Sequence, residues 1–90
     1  MITVHLPVHL SGQFHADPVL TVAGTTCAEL LQSLDDRYPG MAMWLAEPDG
    51  CFRQNLSVFV SGRRLASRTD TSEPLIDGSE VWILHAISGG

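Results

Sequence analysis

The sequence predicts an α+β domain in which one main helix lies across one face of a mixed sheet of four to five strands. Three observations carry this. Residues 27–38 place apolar side chains at helical spacing behind a capping signal. Several other segments alternate, or run apolar, over four to ten residues, as strands do. The order is strand, strand, helix, strand, short strand, strand, and laying the helix on the sheet is the economical way to bury both apolar faces. The chain has 90 residues, enough for one domain. A domain of this size buries only about 60–65% of the surface its unfolded chain exposes, so a single core must hold it. At 44% hydrophobic and 17% charged the composition is that of a folded globule.

At the start, Ile2, Val4, Leu6, Val8 and Leu10 alternate with Thr3, His5, Pro7 and His9. This is a period-2 pattern with one apolar face. Pro7 lacks an amide proton and belongs at an unpaired position. Ser11-Gly12-Gln13 supplies a turn and Phe14 to Ala23 returns as a second strand, which predicts a hairpin. Thr26-Cys27-Ala28-Glu29 has the form of a capping box, in which the Thr hydroxyl accepts from the Glu29 amide and the carboxylate reaches back. Cys27, Leu30, Leu31, Leu34 and Tyr38 then form one apolar stripe, with Glu29, Gln32, Ser33, Asp35 and Asp36 on the wet side. Pro39-Gly40 ends the helix. Met41 to Ala46 suits one further helical turn, with Met43 or Trp44 packed under the sheet.

Glu47-Pro48-Asp49-Gly50 is a turn cluster, and Leu56 to Val60 is a strand. Ser61-Gly62 is a tight turn into a short strand at Arg63 to Leu65. Residues 66–80 are polar and irregular and end in the turn Asp77-Gly78. Val81-Trp82-Ile83-Leu84 is the most hydrophobic strand, and it and the first strand suit the centre of the sheet.

The formal net charge is −5, and all five cations are arginines: Arg37, Arg53, Arg63, Arg64 and Arg68. Such a balance argues against nucleic acid, whose binding needs a clustered excess of positive charge. No apolar run is long enough to span a membrane. The N-terminal segment lacks the basic start and continuous apolar stretch of a signal peptide, so the expected compartment is the cytoplasm. Cys27 and Cys51 have no CxxC spacing and read as a buried helix thiol and a loop thiol. His5 and His9 on one strand would lie roughly 13 Å apart, too far to share an ion. His9 facing His15 across the predicted hairpin lacks a third ligand, so no metal site is expected. A phosphate loop of the GxxxxGK type is impossible without lysine. Arg63 and Arg64 point oppositely on a strand, so only one faces any given surface. No catalytic constellation emerges, and the chain is expected not to act as an enzyme by itself.

What remains is the tail. Residues 1–84 read as the folded domain and 85–90 as a flexible tail ending Ser88-Gly89-Gly90. From Leu84 to Gly90 an extended chain reaches roughly 20 Å. Two residues without Cβ let the backbone approach a reaction centre closely, which suits insertion into a partner's narrow channel. Trp82 belongs with this tail. If Val81 and Ile83 point inward, Trp82 lies on the opposite face near the tail's root, either as an exposed partner contact or covered by the 66–80 loop.

At these residues the chain resembles the MoaD/ThiS family of ubiquitin-like sulfur carriers. The motif Leu75-x-Asp77-Gly78-x-Glu80-Val81-x-Ile83-Leu84, followed by Gly89-Gly90, is similar to that family's C-terminal signature. Thr25-Thr26, Glu29-Leu30-Leu31 and Tyr38-Pro39-Gly40 resemble its helix and helix exit, and Val58-Phe59-Val60-Ser61-Gly62 its V-x-V-N-G strand and turn. The resemblance covers nearly the whole chain. It implies a β-grasp, ubiquitin-like fold and a protein that binds no cofactor itself. It further implies a ubiquitin-activating-type adenylating and sulfurtransferase enzyme that uses ATP and Mg to activate the Gly90 carboxylate. The resulting thiocarboxylate then supplies a downstream sulfur-accepting synthase making cysteine, molybdopterin, thiamin thiazole, thiolated RNA or a secondary metabolite. Gly90 would be the reacting residue, Gly89 the clearance, and Ala86, Ile87 and Ser88 the segment threaded through partner sites. Many members have proline where this chain has His85-Ala86, so His85 is expected to tune partner fit. The 63–75 loop and the tail look more like carriers of the cysteine-biosynthesis (CysO) type than like thiamin ones. The alternative implied by the ubiquitin-like class is a protein modifier joined through Gly90 to lysines of other proteins.

Overall fold

The computed structural model describes residues 1–65, 67 and 69–85. Among them are strands β1 (Ile2–His5), β2 (Val19–Val22), β3 (Leu56–Val60), β4 (Arg63–Arg64) and β5 (Glu80–His85). The helices are α1 (Val8–Gln13), α2 (Cys27–Arg37) and α3 (Met41–Leu45). The strands form one sheet of order β2-β1-β5-β3-β4. The β1–β5 pair is parallel and the β1–β2, β3–β5 and β3–β4 pairs are antiparallel. The two apolar strands at the ends of the sequence thus meet as neighbours inside the sheet. This is the β-grasp arrangement that the resemblance implies.

Alternation decides which face is buried. Ile2 and Val4, Leu20 and Val22, Val58 and Val60, and Val81 and Ile83 all point to the covered side. There they meet Cys27, Leu30, Leu31 and Leu34 of α2, Met41 and Leu45 of α3, and Phe52. Helix α2 begins as its sequence predicts: Thr26 accepts from the Glu29 amide at 3.2 Å. The Glu29 carboxylate reaches one residue further back than a simple capping box, accepting from the Thr25 amide at 2.9 Å and the Thr25 hydroxyl at 2.8 Å. Asp35, on the wet side of α2, accepts from the amides of Gly40 (3.0 Å) and Ala42 (3.2 Å) and so fixes the start of α3. The strand ends are tied together as well. The Met1 amino group donates to the Asp77 carboxylate, and the Gly78 amide donates to the Met1 carbonyl at 2.9 Å.

Two expectations are corrected. The predicted first hairpin does not form: β1 stops at His5 and residues 8–13 are helical. Pro7 (φ −58°) cannot extend the ladder but is preset to precede a helix, and its carbonyl accepts from the Leu10 and Ser11 amides. Leu6 and Leu10 are buried while Val8 is 80% exposed, so the alternation through Val8 is not a buried face. The second strand is correspondingly short, and His9 does not face His15 across a hairpin. The second correction concerns α3. Met41 and Leu45, four residues apart, face inward, leaving Met43 71% and Trp44 53% exposed instead of packed under the sheet. The last strand runs one residue beyond the predicted Leu84, with His85 opposite Leu56. Among the described residues no helix is long and apolar enough to cross a membrane.

Candidate functional site

Among the described residues the face of the sheet opposite α2 is left uncovered, and strand register lays one row of side chains straight across it. Val19 of β2 is opposite His5 of β1, His5 opposite Trp82 of β5, Trp82 opposite Phe59 of β3, and Phe59 opposite Arg64 of β4. Neighbouring strands stand about 4.8 Å apart, so register partners on one face are close enough to touch. The central pair does: the His5 and Trp82 rings stack with centroids 3.5 Å apart and planes 3° from parallel. Aromatic stacking of this kind is worth about 0.5–1.5 kcal/mol beyond area burial. The His5 Nε2 lies 2.8 Å from Glu80 Oε2, two residues before Trp82 on the same face. Trp82 nevertheless remains 42% exposed. Pro7, Val8, Pro18, Val19 and Leu84 border the same shallow groove, giving it an apolar floor.

The tail's root lies at the end of this surface. His85, the last described residue, has its ring 6.3 Å from that of His9 on α1. The described residues of the loop before β5 leave Trp82 exposed. Its described contacts run to the start of α2, where Thr26 bridges Pro74 and the Leu75 and Ala28 amides donate to the Thr25 and Thr71 carbonyls, and to the start of β1 through Met1 and Thr3. Of the two placements open for Trp82, the exposed one is observed. Trp82 and His85 are therefore on the same strand and border the same groove. Ala86, Ile87, Ser88, Gly89 and Gly90 lie outside the described residues.

Sequence reasoning missed His5, which reads as a polar position on an alternating strand. The available signal was the apolar character of both the first and last strands, which places them side by side. Their register, and hence the His5–Trp82 stack, is not written in either segment. Among the described residues no three His, Cys, Asp or Glu side chains are gathered as a metal would need. Cys27 is fully buried, and desolvation, reinforced by the Glu73 and Asp70 carboxylates, pushes its thiol up to about 11. It is a core thiol.

With this geometry in hand, the chain can be set beside known proteins. The ThiS family model matches residues 13–90. CysO of Mycobacterium tuberculosis superposes with a TM-score of 0.86 at 21% identity, covering 97% of this chain and 100% of that one. The BexX/CysO complex of Amycolatopsis orientalis contains a chain matching with a TM-score of 0.85 at 20% identity, each chain covered completely. The small archaeal modifier protein 1 of Methanosarcina acetivorans matches with a TM-score of 0.79 at 23% identity, over 99% of this chain and 95% of that one. At these identities the likeness is one of fold. No curated protein sequence matches the chain.

Proposed function

The chain belongs to the ThiS family, and from that premise we propose that it is a sulfur carrier whose reactive group is the Gly90 carboxylate. The observation that carries this reading is the extent of the family match, which runs through the Gly89-Gly90 end. A carboxylate is a poor electrophile. An activating enzyme of the ubiquitin-activating type joins it to the α-phosphate of Mg-bound ATP, releasing pyrophosphate and forming an acyl-adenylate. Sulfide attacks the acyl carbon and AMP leaves, so that Gly90 ends as a thiocarboxylate; a persulfide donor instead forms an acyl disulfide, which a second thiol cleaves to give a disulfide and the same thiocarboxylate. That group gives up its sulfur to a biosynthetic acceptor enzyme, and water restores the carboxylate. In this reading the chain supplies no catalytic side chain and holds no cofactor; ATP and Mg belong to the activating enzyme. It works in the cytoplasm, where ATP and reduced sulfur are at hand.

The chain's own part is to present the tail and be recognised. Gly89 leaves room for the enzyme at the reacting carbon, and Ala86, Ile87 and Ser88 span the channel. His85 sits at the channel mouth, while Trp82 contacts the enzyme surface around it. Trp82 suits this part because tryptophan is enriched among residues that dominate binding energy. Its exposure on the uncovered face supports the assignment. That a CysO protein was solved in complex with BexX supports a stable partner for a protein of this fold.

Intact mass spectrometry tests the proposal. After incubation with an activating enzyme, ATP and a sulfur source, the chain is expected to gain the mass difference of one oxygen replaced by sulfur, located at Gly90. A second reading is favoured by one observation, the fold shared with a small archaeal modifier protein. It predicts isopeptide adducts between Gly90 and lysines of other proteins. Adducts without any thiocarboxylate would replace the carrier reading with that of a modifier.

A further inference from the structure

Trp82 is held unusually well for a half-exposed side chain. Its register partner in β1 is His5, whose ring lies flat against the indole at 3.5 Å. His5 is in turn fixed by Glu80 at 2.8 Å, and its side chain is only 16% exposed. Glu80 and Trp82 stand on the same face of β5, so one strand supplies both the ring that His5 stacks on and the carboxylate that orients it. The indole has one face covered by imidazole while the residue remains 42% exposed on the groove bordered by Val8, Val19 and Leu84. An exposed tryptophan in solution normally samples several rotamers, and ordering it on binding costs affinity. Here the ordering is built into the free chain.

We infer that His5 is a positioning residue: oriented by Glu80, it holds the Trp82 indole against the sheet, ready for the enzyme that activates Gly90. This rests on the carrier reading, in which Trp82 touches that enzyme. The other titratable groups bordering the groove are His9 and His85, and neither shares a register position with Trp82. Phe59 is the register partner of Trp82 on its other side, in β3, while the ring stacked on the indole is that of His5.

The test uses the full chain with Trp44→Phe, which leaves Trp82 as the single tryptophan of the two in the sequence. Time-resolved fluorescence anisotropy reads Trp82 mobility in the free chain. ATP–pyrophosphate exchange with the activating enzyme reads the half-saturating chain concentration and the maximal rate separately. His5→Ala is expected to free the indole and to raise the half-saturating concentration about three- to tenfold, with the maximal rate unchanged. His5→Phe, which restores an aromatic plane, is expected to return both readouts to within about twofold of the parent. Combining His5→Ala with Trp82→Ala is expected to weaken binding no more than Trp82→Ala alone, because both remove one interaction. Should His5→Ala fail to fold by circular dichroism, His5→Gln, which keeps the reach to Glu80 and lacks the ring, takes its place with the same expected loss.

A His5→Ala or His5→Gln chain that binds as the parent does overturns the inference. So does a His5→Phe chain as weak as His5→Ala, or a double variant with additive losses. If the parent chain supports no exchange with any activating enzyme, the carrier reading falls, and the docking role of Trp82 with it. Normal exchange in parent and variants alike removes only the role of His5.

Discussion

Cys27 and Ser61 show how single residues answer to their surroundings. Cys27, the first residue of α2, faces the core, and burial raises its thiol to about 11, so at neutral pH it carries its proton. Only the thiolate is strongly nucleophilic. In native protein, maleimide is expected to label Cys27 no faster than the fold opens, and rapidly once denaturant is added; peptide mapping after timed labelling checks this. Rapid native labelling would contradict the core placement. Ser61 adopts φ 51° and is followed by Gly62 at φ 82°, which together reverse the chain between β3 and β4. The left-handed region costs an ordinary residue about 1–2 kcal/mol and is better tolerated by asparagine. Ser61→Asn is therefore expected to stabilise the domain by up to about 1 kcal/mol, read as a raised urea midpoint at constant slope. Both positions were legible in sequence: Cys27 from its place on the apolar stripe, and Ser61-Gly62 from turn chemistry. His5 was not, because its importance depends on a strand 75 residues away in the chain.

The helices and strands differ in how far local signals decide them. Helix α2 is set locally, by Thr26 at its cap and four buried apolar residues on one stripe. Removing the cap with Thr26→Ala is expected to cost about 1 kcal/mol. Glu29 contributes through pH. Hydrogen bonds from the Thr25 hydroxyl and then the Thr25 amide hold its carboxyl below its ordinary value of 4.5. Because the folded value is the lower one, its stabilisation is present above pH 4.5 and is lost as pH falls through the folded value. Wild type is thus expected to exceed Glu29→Gln in stability at pH 7, with the gap closing as the pH falls below 4.5; paired urea titrations at neutral and acidic pH measure it. Helix α1 is a different case. Its residues satisfy a period-2 pattern as well as the helix they form, and Pro7 is compatible with either. What decides is that Leu6 and Leu10 both reach the core when residues 8–13 are helical, while Val8 and His9 face water. Helix α3 was legible as a helical turn, but its inward residues were misassigned because a five-residue segment leaves the stripe's phase open.

For the whole molecule, the central feature is that the two ends of the chain share the middle of the sheet. Val4 and Val81 are register partners and both are fully buried; Ile2 and Ile83 on the same strands are fully buried too. Ile83→Ala is expected to cost about 2–5 kcal/mol by opening a cavity in the core. Against a total of roughly 5–15 kcal/mol for an average domain, this is a large fraction. Gly90 is expected to behave in the opposite way. The described core is complete by Ile83, so deleting Gly90 should leave the thermal midpoint unchanged while abolishing thiocarboxylate formation. A fall in the midpoint would make the end of the chain structural and undo the carrier reading.

The sequence alone determined the α2 cap and stripe, the β3–β4 turn, the apolar first and last strands and the Gly-Gly end, because each depends on neighbours within one or two turns of chain. It also determined which face residues 2–5 bury, since their alternation follows the pleat, but it left open the buried face of the uniformly apolar last strand. Only the tertiary structure decided that Pro7 opens a helix, that α3 turns Met43 and Trp44 outward, and that Trp82 is left exposed by the described residues of the 66–80 loop. It alone set His5 against Trp82. Register between strands so far apart in sequence is chosen by the fit of the whole core, and no local segment carries that information.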